Sequence, residues 1–352
     1  MVMDQVKYHL EFEKLSSVYQ LGPLMAEPVS VTGGFLHRMF KMTTAKGRYA
    51  VKALNPQIMQ RTTAMSSFIF SEKVAALALQ QGIDTIPAII SNGSCMHEVE
   101  GQHYLLFPWM DGSTLPSGVV DLDCCTKMGR VLAKLHRADF AELVECRREN
   151  HKQDASKAPL ADWRAYALMG KQEGLPWYNM LTEHTHLLLE WELLADKTGA
   201  KLRNNRVISH RDLDLKNVLW NKGHTPVLID WEAAGAIHPT QEMLEVALYW
   251  SGAEAGNASK EAFCTIIETY RSEGGTVGDN ALDALNYGFR GKLDWLSYNI
   301  RRSLGLECAD ASEQELGTDE TVKTLQSLID YAEWIPVYVD WLSELGIHKP
   351  TE

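Results

Sequence analysis

The chain contains no Cys-x-x-Cys pair. Its six cysteines stand at positions 95, 124, 125, 146, 264 and 308, a spacing that offers neither a zinc site nor a disulfide framework. They read as free thiols in a reducing compartment. The N-terminal MVMDQVKYHLEFEKL lacks the apolar core of a signal peptide. No apolar run approaches the length that spans a bilayer. Positive charge is scarce too: 34 Lys and Arg against 46 Asp and Glu leave a formal net charge of −12. A nucleic-acid binder shows a basic patch or stripe instead. The expectation is a soluble, cytoplasmic protein with no membrane and no nucleic acid among its partners. Its acidity suits a cationic ligand, and equally suits solubility alone.

What is present is ordinary in bulk. The 352 residues are 45% hydrophobic and 23% charged, enough for one large domain or two lobes. In VSVTGGFLHRMFKMTTAKGRYAVKAL, residues 29–54, a strand leads into Gly33-Gly34, a second runs from Leu36 to Met42, and the turn AKG introduces a third, Arg48 to Leu54. This predicts a small antiparallel sheet. Gly33 and Gly34 either let backbone amides approach a phosphate or simply make a turn. Residues 65–81 read as a helix closed by Gly82, with Phe68, Glu72, Ala75, Ala76 and Leu79 on one face. Glu72 thus falls in an apolar stripe, where a carboxylate needs a partner. Lys52, in the third strand, is the natural candidate, unless Glu72 lies at the edge and is solvated. Residues 122–136 predict an amphipathic helix whose His136 reads as a satisfied core histidine.

The informative stretch is ISHRDLDLKNVLW, residues 208–220. Val218-Leu219-Trp220 and Val227-Leu228-Ile229 read as two strands joined by NKGHTP. Pairing Val218 with Ile229 sets Asn217 opposite Asp230, so an amide oxygen and a carboxylate converge. Such hard oxygen ligands suit Mg²⁺, with waters and substrate phosphates completing its shell. Asp212, just upstream, is placed to accept the proton of an attacking hydroxyl.

His-Arg-Asp-Leu-x-x-x-Asn resembles a kinase catalytic loop. Asp230 is followed by Trp231-Glu232, not Phe-Gly, and no Ala-Pro-Glu closes an activation segment, so a protein kinase is disfavoured. The run IDWEAAGAIHPTQEMLEVALYW instead resembles the aminoglycoside phosphotransferase and choline kinase superfamily. The resemblance extends from about Val29 to about Tyr249, and its specific part is 208–232. It implies an α+β, two-lobed protein-kinase-like fold, with an antiparallel sheet and one main helix in the first lobe and a larger, mostly helical second lobe. The lobes implied are 1–107 for nucleotide binding, 108–113 as hinge, and 114–352 carrying the catalytic loop and the acceptor-binding helices.

The resemblance also implies roles. Lys52, held by Glu72, would grip the nucleotide phosphates, and Gly33 and Gly34 would approach them. Pro108 and Met110 would meet adenine with a C=O and an N–H. Asp212 would be the catalytic base, with Asn217 and Asp230 binding Mg²⁺. His210 would brace the loop, with Arg211 structural or solvated. ATP, or GTP, would be the donor. Asp214, Glu232, Asp294, Trp295 and Tyr298 are the acceptor candidates; aromatic faces with carboxylates suit an ammonium group, and equally form a helical core. Arg301-Arg302 would suit an anion. The chain departs from the family in having His-Arg-Asp for His-Gly-Asp, Asp214 where a His is usual, and no Asp-Pro pair after Asp230. An amino-sugar is the leading acceptor, with choline or ethanolamine next and a neutral sugar or homoserine third. A non-catalytic nucleotide-binding pseudokinase is the reading from another class.

Overall fold

The computed structural model describes residues 8–31, 36–116, 118–119, 121–143 and 161–347. Gly33 and Gly34 lie outside these residues. The chain divides into two compact units, one of residues 1–115 and 216–234, the other of 116–215 and 235–352.

The first unit is built on five antiparallel strands, β1 (Val29–Val31), β2 (Arg38–Thr44), β3 (Gly47–Ala53), β4 (Met96–Val99) and β5 (Gln102–Pro108), in the order β1-β2-β3-β5-β4. Alternation along the strands sends side chains to opposite faces. Val51 and Ala53 of β3 join Tyr104 and Leu106 of β5 and Met42 of β2 on one face, packed with Leu15 of the helix α1 (Phe12–Val18) and with Tyr19, which follows it. Leu105 belongs to the other face, with Leu54, Phe68 and Met96. Lys52 is paired with Leu105 and with Met39 in the ladders, so it shares that second face. A short helix, α2 (Pro56–Met59), is capped by Asn55, whose side chain accepts from the Gln57 amide.

The helix α3 (Ala64–Gln80) forms close to where its periodicity places it, and Gly82 at φ +76° ends it. Its buried stripe is Phe68, Ser71, Glu72, Ala75 and Ala78. Leu79, expected on that stripe, is exposed, and Ala78 is buried in its place. The same unit holds a two-stranded ribbon, β7 (Val218–Trp220) with β8 (Pro226–Leu228).

The second unit is mainly helical. It comprises α4 (Leu122–Arg137), α5 (Trp163–Gln172), α6 (Tyr178–Gly199), α7 (Pro239–Trp250), α8 (Lys260–Ser272), α9 (Ala281–Tyr287), α10 (Phe289–Ser303) and α11 (Ala311–Glu344), with one short ribbon of β6 (Val207–Ser209) and β9 (Gly235–Ile237). Its helix ends follow the sequence: Asp121, Asp162, Ser259 and Asp310 each cap with a side-chain oxygen, and Pro239 stands at the start of α7. Met128, Leu132 and Leu135 of α4 and Phe263, Ile266 and Ile267 of α8 are fully buried. Among the described residues no helix is long and apolar enough to cross a membrane.

Candidate active site

The first unit gathers charge around Lys52. Its ammonium is buried and donates to Asp230 Oδ1 at 2.7 Å and to Glu232 Oε2. Burial alone would drive the proton off, yet Asp230 and Glu232 outweigh it and hold the pKa above the ordinary lysine value. Glu232 shows the converse. Burial opposes its charge, but Lys52 and His37 hold the carboxyl well below the usual carboxylate range.

Glu72 is buried on α3 as the stripe predicts, but it does not hold Lys52. Its Oε2 accepts from the Ala88 amide at 2.7 Å. Burial, set against that bond and the Lys52 charge, pushes its carboxyl up to about 7. The expected Lys52–Glu72 pair is therefore corrected. A buried amide needs an acceptor, Ala88 takes Glu72, and Lys52 finds its carboxylates at 230 and 232.

The ribbon register differs from expectation by one residue. Val218 is opposite Leu228, not Ile229. Asn221 accounts for the shift: its Oδ1 accepts from Gly223 N and Thr225 N, closing the turn so that Pro226 starts β8. Asn217 accordingly bonds to Ile229, through Ile229 N–H to the Asn217 carbonyl at 3.0 Å. Asp230 follows in the left-handed region at φ +61° and opens the short turn Trp231–Ala233. Asn217 and Asp230 still stand at one end of the ribbon. An amide oxygen and a carboxylate are the donor chemistry that Mg²⁺ prefers. Among the described residues no trio of His, Cys, Asp and Glu is grouped to hold a metal. Pro108 ends β5, opposite Tyr49, and Met110 follows it, half-buried.

The second unit carries the other half of the loop, and here the backbone is pinned. Arg211, at φ +69°, donates its amide to Glu242 Oε1 at 2.6 Å. The Asp212 amide donates to His210 Nδ1 at 3.3 Å, and Trp250 Nε1 donates to the Leu213 carbonyl at 2.9 Å. Glu242 is itself held by His136, 2.7 Å from its other oxygen, and His136 meets the Tyr270 hydroxyl at 2.7 Å. Burial opposes the Glu242 charge, but His136 and the Arg211 amide hold its pKa down. His136 is thus a satisfied core histidine. Glu242 and Trp250 are residues that sequence reasoning missed, because they bind backbone 31 and 37 positions away.

Two more missed residues follow on the same helix. Burial pushes Glu245 up to about 7, with Glu242 and Asp212 adding to the effect. Burial likewise raises the Tyr249 hydroxyl, with Asp212, Glu245, Glu254 and Asp214 contributing. Glu245 and Tyr249 therefore share surroundings with Asp212. Asp294 pairs with Arg290 in an i,i+4 contact, Nε to Oδ2 3.0 Å. Trp295 and Tyr298 lie with ring centroids 5.6 Å apart, and the Arg302 guanidinium sits over Tyr298. Lys292 reaches Glu254 at 2.7 Å and lies over the Tyr331 ring.

A model of the phosphotransferase enzyme family matches residues 28–273, and the chain belongs to that family. It is a phosphotransferase. No curated protein matches the chain. Among solved structures it is similar to a spectinomycin phosphotransferase in complex with ADP and spectinomycin, at 12% identity and a TM-score of 0.63, over 91% of this chain and 97% of that one. It is similar to an ethanolamine kinase of Plasmodium vivax, at 15% identity and a TM-score of 0.55, over 86% and 83%. A microcompartment-associated aminopropanol kinase is 13% identical, with a TM-score of 0.57, over 92% and 98%. These likenesses show the fold, which is the two-lobed kinase-like one.

Proposed function

We propose that the chain moves the γ-phosphate of ATP to a hydroxyl of a small, amine-bearing molecule. The observation that carries the reading is the buried Lys52 ammonium set against Asp230 and Glu232. A lysine in a sheet is ordinarily solvated, and a buried one held by two carboxylates marks a functional site, which on this reading meets phosphates when Asp230 turns to the metal. The lobes are proposed as 1–107 for the nucleotide, 108–113 as the hinge where Pro108 and Met110 meet adenine, and the remainder for the acceptor.

In this reading Lys52 orients the nucleotide phosphates, and Asn217 and Asp230 hold the metal. Mg²⁺, when bound, neutralises charge on the phosphate oxygens. Asp212 accepts the acceptor's hydroxyl proton at a carboxylate oxygen. The hydrogen bonds to Arg211 N, Asp212 N and Leu213 O fix the backbone on both sides of that carboxylate. Positioning plus charge stabilisation supplies most of the rate in a loose transition state. Glu245 and Tyr249, beside Asp212 and Asp214, favour an ammonium on the acceptor. The amino-sugar, choline and ethanolamine classes all meet that description, and the spectinomycin, ethanolamine and aminopropanol enzymes are its structural neighbours.

The test is ADP release with Mg²⁺ and ATP across amino-sugars, choline, ethanolamine, aminopropanol, homoserine and neutral sugars, with Asp212→Asn alongside. Turnover with one amine class, lost by about 10³-fold or more in the variant while ATP binding holds, is expected. Equal activity in Asp212→Asn would sink the assignment of the base. ATP binding without turnover on any acceptor would favour the pseudokinase.

A further inference from the structure

We propose that Glu232, steered by His37, is the residue that positions Lys52 for the nucleotide phosphates, the task that sequence spacing gives to Glu72. The inference rests on the proposed kinase reading and removes Glu232 from the acceptor residues. Three observations support it.

The first is the division of partners. Lys52 Nζ meets Glu232 and Asp230, while Glu72 spends an oxygen on the Ala88 amide. A lysine has three N–H donors. A bond to Glu232 leaves two for phosphate oxygens once Asp230 turns to a metal, and one while Asp230 is held.

The second is the orientation of Glu232. His37 is buried, and its Nε2 lies 3.2 Å from Glu232 Oε2. The Asn55 amide donates to His37 Nδ1 at 2.9 Å. Nδ1 is therefore the acceptor of the ring, and Nε2 carries the proton that goes to Glu232. Asn55 also caps α2 and does not drift. The His37 ring packs edge-on to Phe68, centroids 5.4 Å apart. A ligand oriented by a second residue that is itself anchored is how proteins fix a reactive group within tenths of an ångström.

The third is the rigidity of the turn. Trp231, between Asp230 and Glu232, is buried and donates its indole N–H to Thr85 Oγ1 at 2.6 Å. Thr85 Oγ1 donates in turn to the Leu228 carbonyl at 2.8 Å. The turn cannot swing without breaking this chain of bonds, so Glu232 stays beside Lys52.

The experiment measures ATP·Mg²⁺ affinity and steady-state kinetics for the full chain and for Glu232→Gln, Glu232→Asp, His37→Asn, Glu72→Gln and the double variant Glu232→Gln/His37→Asn. His37→Asn keeps an acceptor for the Asn55 amide and removes the donor to Glu232. A thermal melt confirms that each variant is folded; where Glu232→Gln fails to fold, Glu232→Asp carries the comparison. The expected result is about a tenfold rise in Kd and KM for ATP in Glu232→Gln. The acceptor KM stays within about twofold, Glu232→Asp recovers part of the loss, and Glu72→Gln raises the ATP KM less. The double variant loses less than the product of the two single losses, the mark of residues acting as one unit. An unchanged ATP KM in Glu232→Gln, with a raised acceptor KM or a raised Mg²⁺ requirement, overturns the proposal and returns Glu232 to the acceptor or the metal. A larger effect from Glu72→Gln than from Glu232→Gln overturns it too. A wild-type chain that neither binds ATP nor turns over overturns the kinase reading and this proposal with it.

Discussion

Glu245 carries the pH dependence of the proposed reaction. Burial first, then Glu242 and Asp212, lift its carboxyl to about 7. Below that pH it is neutral and attracts no ammonium; above it the charge is present. An acceptor whose amine titrates like a lysine, about 10.4, keeps its proton across this range. Acceptor kcat/KM is therefore expected to rise as pH increases through 7, with Glu245→Gln low at every pH and without that limb. A pH profile against one active amine checks it, and an identical profile in the variant would assign the limb elsewhere. Glu242, one turn earlier, behaves oppositely because His136 and the Arg211 amide reward its charge. Two glutamates three residues apart on α7 thus differ in charge state because of what they touch.

At the scale of elements, much was legible. The first three strands of the sheet, the helix at 64–80 and the helix at 122–137 follow from alternation, periodicity and end signals within a residue or two, whereas β4 (Met96–Val99) carried no signal that was read. What periodicity conveys is the buried face, not the partner. It placed Glu72 inward and was silent on Ala88. It placed β7 and β8 and missed their register, because Asn221 closes the turn with its own side chain. Glu242 and Trp250 sit on one helix, but their bonds to the Arg211 and Leu213 backbone cross tens of residues and leave no local mark. Helix contact also sets an element-scale prediction. On α11, a Cβ at Gly317 would lie 2.9 Å from Ser303 N and 3.0 Å from Asn299 O, both backbone of α10. A gain of about 1 kcal/mol in helix propensity is set against backbone displacement, and overpacking costs typically about 1–3 kcal/mol. Gly317→Ala is expected to lower stability by up to about 2 kcal/mol in denaturant melts. Gly291→Ala on α10, where nothing lies within 4 Å, is expected to raise it by up to about 1 kcal/mol.

Across the whole molecule, the division into compact units does not follow the chain. Residues 216–234 belong with 1–115. Thr85 bonds to Leu228, Ser113 pairs with Trp220, and Lys52 meets Asp230 and Glu232. A fragment of residues 1–115 leaves Lys52 buried without its carboxylates, which costs several kcal/mol. It is expected to lack a cooperative thermal transition, and joining 216–234 to it through a flexible linker is expected to restore one. Circular dichroism decides between them; a stable 1–115 fragment would contradict this. The Lys52–Asp230 contact has one further consequence. On the proposed reading Asp230 serves an ammonium and a metal with a single carboxylate. Phosphate at Lys52 would leave Asp230 to the cation, and Asp230 turned to the cation would leave the Lys52 ammonium to the phosphate. Nucleotide and metal then favour one another's binding by the same factor, a reciprocal cooperativity written into one exchange of counter-ions.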